Sequence, residues 1–266
     1  FFDVTLDESG NQFRGDVTVE GHDVKLTAAG NLNAEVTSDG DVDLTASGDL
    51  VVAVTVEGNT DLAAGGAISS TLNVNGDSTL TSAGNVLVAG TSRNVTTTTS
   101  AARSTTTFGA LQVLGDLTTL SAGDIGQTGV LQVGGTSTLN AVAANVILNN
   151  SGNVFGNTLN ATANNMSLAG ATALDLGRVT IADSLSVEVQ QDIILSGDIL
   201  TDRLALDAVN GQVNQISGSL TVLSGPTALR ANGAVVLAQA ANSLAGGVDT
   251  TARSFRIVGD IEGDAA

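Results

Sequence analysis

Residues 24–59 read VKLTAAGNLNAEVTSDGD and then VDLTASGDLVVAVTVEGN, two 18-residue lines that superimpose column by column. A third line, TDLAAGGAISSTLNVNGD, fills 60–77, and a fourth opens with STLTSAGNV at Ser78. Leu26, Leu44, Leu62 and Leu80 share one column, Gly30, Gly48, Gly66 and Gly84 a second, and Leu32, Leu50, Ile68 and Val86 a third. Gly40, Gly58 and Gly76 make a fourth, and Asp23, Asp41, Asn59 and Asp77 a fifth. Five columns in one register over four units are a structural repeat, and a repeat decides the fold before any single motif does.

Within each unit the apolar residues alternate, as in Val24, Leu26, Ala28 and then Leu32, Ala34, Val36. Period two means strand. Gly-Asn and Gly-Asp pairs separate the strands, because glycine reaches positive φ without steric cost and Asn or Asp bonds its local backbone. Each unit is therefore one coil of strands and corners. A single coil cannot bury its own apolar face; stacking coils buries it and pairs the strands in parallel. The expected fold is all-β, a parallel β-helix (solenoid) with coils of about 18–20 residues. A leucine-rich repeat would need longer or helical convex segments, and no helical periodicity is present.

Outward from this region the regularity fades. Residues 1–90 are expected to form the regular 18-residue part. Residues 91–108 include TSRNVTTTTSAARSTTT (91–107), which breaks the register and reads as a changed or irregular coil, a protruding loop, or an extra polar strand, since threonine is a good strand former. Residues 109–266 carry a longer super-repeat of about 89 residues: Leu131 matches Leu220, Val133 Val222, Leu139 Leu229, Val146 Val235, Leu148 Leu237 and Met166 Phe255. This part is expected to continue the first. Roughly fourteen coils at about 4.8 Å each would make a rod of roughly 65–70 Å.

Composition supports a narrow aliphatic interior. Hydrophobic residues make up 42% of the chain but aromatics only 2%, with six Phe and no Trp or Tyr. The formal net charge is −18, and Lys25 is the sole lysine. Nucleic-acid binding needs a basic face to release phosphate counterions, so that class is set aside. No apolar run approaches the length of a spanning helix, and membrane insertion is not expected. The lack of Cys suits a cytosolic chain, or one that crosses a membrane unfolded. Phe1 carries neither an initiator Met nor a signal-peptide pattern, which is expected of a processed product or an excised piece.

The segment GDIGQTGVLQVGGTSTLNAVAANVILNNSGNVFG (123–156) and its continuation NTLNATANNMSLAGATALDLGRVTIADSLSVEV (157–189) resemble repeats of filamentous-haemagglutinin-like exoproteins, the two-partner-secretion adhesin family. The 18-residue units resemble coils of the same family. This resemblance implies a right-handed helix, export through an outer-membrane partner, and a place in the shaft of a long bacterial adhesin, biofilm component or toxin stalk. No amino-terminal secretion domain or toxin tip is recognisable.

Candidate chemistry is sparse. β-Helical polysaccharide lyases and hydrolases need paired carboxylates, or basic groups beside calcium, in an aromatic-lined groove. One His, one Lys and no Trp or Tyr do not supply that, so no catalysis is expected. His22 occupies a column otherwise filled by glycine and reads as an exposed corner residue. The acidic columns are the candidate metal ligands. Asp23, Asp41 and Asp77 stack one strand spacing apart, Asp39 lies two residues upstream of Asp41, and Asp43 and Asp61 lie two downstream of their column. Like charges at that spacing repel, and calcium could bridge them; the other reading is a solvated acidic corner that keeps the rod soluble. Arg14-Gly15-Asp16 is an integrin-type tripeptide and the candidate binding motif. Asn94, Asn149, Asn160 and Asn165 each begin an N-x-[ST] sequon, or belong to asparagine ladders paired coil to coil.

The expected function is a structural rod segment of a large secreted or cell-surface protein, holding distal parts away from the cell. The partner would be a host or neighbouring-cell surface. The alternative is an extracellular filament or sheath subunit that stacks end to end on copies of itself, covering Phe1 and Phe2 at one end and Ile257 and Ile261 at the other. A carbohydrate-active β-helix ranks third.

Overall fold

The computed structural model describes residues 1–141 and 143–261. Among these residues every regular element is a strand and every pairing given is parallel. The chain is a β-solenoid that divides into two units at Gln132/Val133.

In the first unit each 18-residue line is one coil made of two strands. Val42–Ala46 spans five residues, Leu50–Val56 spans seven, and two three-residue corners, 47–49 and 57–59, join them to each other and to the next coil. The short strands Val4–Leu6, Val24–Ala28, Val42–Ala46, Thr60–Ala64, Ser78–Ser82, Val95–Thr99 and Leu117–Ser121 stack in one sheet. The long strands Asp16–Gly21, Leu32–Ser38, Leu50–Val56, Ile68–Val74, Val86–Ser92 and Thr106–Val113 stack in the other. Leu26 pairs with Leu44, Leu44 with Leu62 and Leu62 with Leu80, so the sequence column is a physical column.

The alternation expected from period two is met. Val24, Leu26, Ala28, Leu32, Ala34 and Val36 are all buried, facing between the two sheets. Each fully buried Leu contributes roughly 1.5–3 kcal/mol of apolar transfer. The corners stack as well. Gly58 N–H donates to Gly40 O and Gly76 N–H to Gly58 O, both at 3.0 Å, while Gly66 N–H donates to Gly48 O at 2.8 Å. A Cβ at Gly58 would strike the backbone of Gly40, so glycine at 58 permits this close stacking.

From Ser78 onward the interior changes. Ser78, Ser82, Ser92, Thr97, Thr99, Ser104, Thr106, Thr119 and Ser121 are all buried. Within 91–108, Val95–Thr99 is a strand paired on both sides and the irregular part is the turn at 100–105. Most of these hydroxyls find partners: Ser78 and Ser92 share a bond at 2.9 Å, and Ser104 Oγ donates to Ala83 O at 2.9 Å. The coil then widens. Thr106–Val113 carries a β-bulge, with Val88 paired to Phe108 but Gly90 to Leu111. Past the bulge one long strand faces two segments, Ile125–Gln127 and the stretch begun by Val130, whose O accepts Leu111 N–H at 3.0 Å.

The second unit repeats this event. Ser137–Ala141, Thr158–Ala163 and Leu174–Ile181 stack, and the last is bulged, with Leu159 paired to Leu176 but Ala161 to Val179. Leu174–Leu176 then pairs with Ile193–Leu195, and Val179–Thr180 with Ile199–Leu200. From there each coil has three strands. Their ladders run Ser184–Val189, Arg203–Ala208, Thr227–Ala231, Val248–Thr251; Ile193–Leu195, Val213–Gln215, Ala234–Leu237, Ser254–Ile257; and Ile199–Thr201, Leu220–Val222, Ser243–Leu244, Asp260–Ile261.

Candidate functional site

The short-strand sheet of the first unit presents its outward residues in register. Lys25, Asp43, Asp61 and Thr79 make one row, each paired with the next. Beside this row runs the corner column Asp23, Asp41, Asn59 and Asp77. Together they line an open groove of about 520 Å³. Five of the six candidate metal ligands, Asp23, Asp41, Asp43, Asp61 and Asp77, thus share one surface. Asp39 does not line it; its carboxylate faces His22 Nδ1 at 2.8 Å and the Phe1 amino group at 4.0 Å.

The corner carboxylates are engaged by the backbone. Asp23 Oδ1 accepts Asp41 N–H at 2.9 Å, Asp41 Oδ1 accepts Asn59 N–H at 2.7 Å, and Asn59 Oδ1 accepts Asp77 N–H at 3.0 Å. Each side chain therefore serves the amide of the same column one coil on. The ladder continues through Asn94, whose Nδ2 donates to Asp77 Oδ1 at 2.8 Å and whose Oδ1 accepts Asp116 N–H at 2.7 Å. Arg93 Nε lies 2.8 Å from Asp77 Oδ1, and its hydrogen bond holds that carboxyl below the usual carboxylate range. A second ladder occupies the other corner, where Asn31 accepts Asp49 N–H at 2.9 Å and Asp49 accepts Ala67 N–H at 2.8 Å. The repeated G-[ND]-L in the sequence was the visible sign of it; that the oxygen points to the next coil was not.

The outward row is different. Lys25 Nζ lies 3.5 Å from Asp43 Oδ2, and Asp61 stands on the far side of Asp43. Partial burial, and then the charge of Asp43, push the Asp61 carboxyl above its ordinary value. Asp43 and Asp61 are the pair a cation could bridge. A second group of atoms of the kind that can ligate a cation lies on exposed Asp3, His22 and Asp23, within 4.8 Å of one another. The hydrogen bond to Asp39 raises the His22 pKa and lowers that of Asp39. His22 is an exposed corner residue, as its column suggested.

Arg14-Gly15-Asp16 is exposed, with Gly15 at φ 110 and Asp16 opening the strand Asp16–Gly21. The Asp16 carboxylate accepts Asn33 Nδ2 at 2.6 Å, so it is tied to the next coil as well as facing solvent. Of the sequons, Asn94 and Asn160 cap following coils through Oδ1, Asn160 accepting Arg178 N–H at 2.9 Å. Asn165 donates to Asn145 Oδ1 at 3.0 Å. Asn149 is the exposed member, bonded to Ser167 Oγ at 2.7 Å. Among the described residues no helix is long and apolar enough to cross a membrane.

These features define a class: a parallel β-solenoid repeat protein whose turn side chains bind its own neighbouring coils. The chain belongs to the family described as repeats of unknown function (DUF5649), which it matches over residues 21–69, 39–102, 92–162 and 190–251. No curated protein and no solved structure matches it.

Proposed function

We propose that this chain is a structural rod segment of a large bacterial exoprotein, secreted or displayed at the cell surface, with a role in adhesion or biofilm and none in catalysis. One observation carries the reading. Three of the six candidate acidic ligands, Asp23, Asp41 and Asp77, are turned to coil-to-coil bonding in the ladder that also includes Asn59 and Asn94. The resemblance to filamentous-haemagglutinin-like repeats supports export through an outer-membrane partner and a host or neighbouring cell as the surface engaged. Stability in such a stack is set by nearest neighbours, which suits a spacer.

Antibodies raised against this chain test the location. Binding to intact, unpermeabilised producing cells or to culture supernatant is expected; signal only after permeabilisation would overturn it. Light scattering and negative-stain microscopy across dilution test the role. Particles of concentration-independent size are expected, whereas long unbranched filaments would replace the spacer reading with a self-stacking subunit.

A further inference from the structure

The short-strand column that runs Leu26, Leu44, Leu62, Leu80 continues inward as Thr97 and Thr119, both buried. The strand bearing Thr97, Val95–Thr99, reads VTTTT. Threonine occupies two of its three inward positions, 97 and 99, the third being Val95, and both outward positions, 96 and 98. Register in a half-buried strand is normally fixed because a one-residue slip expels the apolar face. Here a slip would exchange threonine for threonine and displace only Val95. Beyond the burial of Val95, what singles out the observed register is hydroxyl geometry. Thr97 Oγ1 donates to Thr119 Oγ1 at 3.0 Å, and Thr99 Oγ1 donates to Ser104 O and accepts Ala122 N–H, both at 2.9 Å. The turn that follows, 100–105, holds six residues where the corners of earlier coils hold three. Arg103 within it stands at φ 67, and Thr106 Oγ1, buried just beyond, has no hydrogen-bond partner.

We propose that Val95–Thr99 is the rung at which the first unit opens and re-registers locally, while the aliphatic coils before it stay formed. Apart from Val95, its inward face is held by paired hydroxyls in place of an apolar stripe, and a hydrogen-bonded pair contributes less net stability than the buried leucines it replaces.

Hydrogen exchange followed by mass spectrometry, on the full chain under native conditions, tests this. Amides of 96–99 and 118–121 should exchange about tenfold or more faster than those of 43–46 and 61–64. Thr97→Val with Thr119→Val, which makes both partners apolar, should bring the fast amides toward the rate of the earlier rungs. Thr97→Val alone leaves the Thr119 hydroxyl without its partner and should protect less than the pair. Equal or slower exchange in the parent chain overturns the proposal, and so does a double variant that exchanges as fast as the parent. If the double variant does not fold, Thr97→Ser serves instead: it keeps the hydroxyl, loses a methyl, and should exchange faster than the parent, with an unchanged rate counting against the proposal.

Discussion

Residues 42–59 make a coil from strands of five and seven residues, whereas residues 184–201 make one from strands of six, three and three. In the first arrangement both corners hold three residues and the register is constant: Leu44 pairs with Leu62, and Leu50 with Ile68, each eighteen residues on. In the second the corners vary. Leu185 pairs with Leu204, nineteen residues on, Leu204 with Thr227, twenty-three on, and Thr227 with Val248, twenty-one on. Both bury an aliphatic interior. The difference lies in what enforces the period. Glycines stack closely on backbone in both units, as at Gly58 over Gly40 and Gly218 over Gly197. Corners of constant three-residue length keep the period, whereas corners that run from one residue (202) to five (238–242) let coil length drift while the inward residues stay aligned.

The largest test of this contrast is at the corners. Gly58→Ala sets a methyl against the Gly40 backbone and should cost about 3 kcal/mol or more, the upper range of overpacking penalties. Gly247→Ala, in a corner of the second unit with nothing within 4 Å, should change stability by no more than about 0.5 kcal/mol. Urea midpoints that fall equally would refute close backbone contact as the reason glycine stands at 58.

Next comes the side-chain ladder. Asp41→Ala removes the acceptor of Asn59 N–H and should cost about 0.5–1.5 kcal/mol, while Asp41→Asn should be close to neutral because Asn59 already serves the same role by an amide oxygen. Both units use the device. Asp198 accepts Ser219 N–H and Oγ–H at 2.9 Å, and those bonds lower its pKa. Its contribution is present above the ordinary Asp pKa and lost as pH falls through the depressed one. An acid limb that slopes less in Asp198→Asn than in the parent is the expected urea result, the lowered pKa values of Asp39 and Asp77 keeping some slope in both.

A smaller effect belongs to the outward row. Asp61 has a raised pKa, so ionising it in the folded state is unfavourable and stability declines as pH rises through that pKa. Asp61→Asn should therefore raise the urea midpoint at neutral pH. If calcium bridges Asp43 and Asp61, the parent should melt higher in calcium than in chelator, and the variant should lose the difference; identical melting temperatures leave these carboxylates solvated.

The smallest effect is at the His22–Asp39 pair, which is exposed on both sides. His22 is stabilised protonated, so its contribution is present below its ordinary value near 6.5 and lost as pH rises through the raised pKa. Asp39 sets the other limit, its contribution fading as pH falls through its lowered pKa. Asp39→Asn should lower the midpoint of the His22 proton resonance; an unmoved midpoint would mean the pair does not persist in solution.

The parallel solenoid was legible because Leu26, Leu44, Leu62 and Leu80 recur with alternating neighbours, and alternation depends only on which face is buried. The number of strands per coil was not. Three-residue strands such as Ile193–Leu195 and Ile199–Thr201 hold two inward residues each, too few for alternation to register. For Val95–Thr99 the sequence left a polar strand open beside a loop: with threonine on both faces, polarity does not mark the interior, and only the backbone pairing decides it. The acidic columns were visible as columns, but their oxygens could have faced a cation, water or an amide. That choice depends on corner geometry, which a string of Asp and Asn at constant spacing leaves open.

The ladder from Asp23 to Asp41, Asn59 and Asp77 joins like positions in successive coils, so its bonding pattern is unchanged by translation along the stack. A gene segment encoding residues 42–59 could be duplicated or excised whole, and each acceptor would still meet an amide of its own column. Loss of seventeen codons would leave one coil a residue too long, with the acceptor at that junction facing the wrong residue. Growth and shrinkage by complete coils is thus nearly free for the folded chain, and length becomes a quantity that copying errors can adjust one rung at a time.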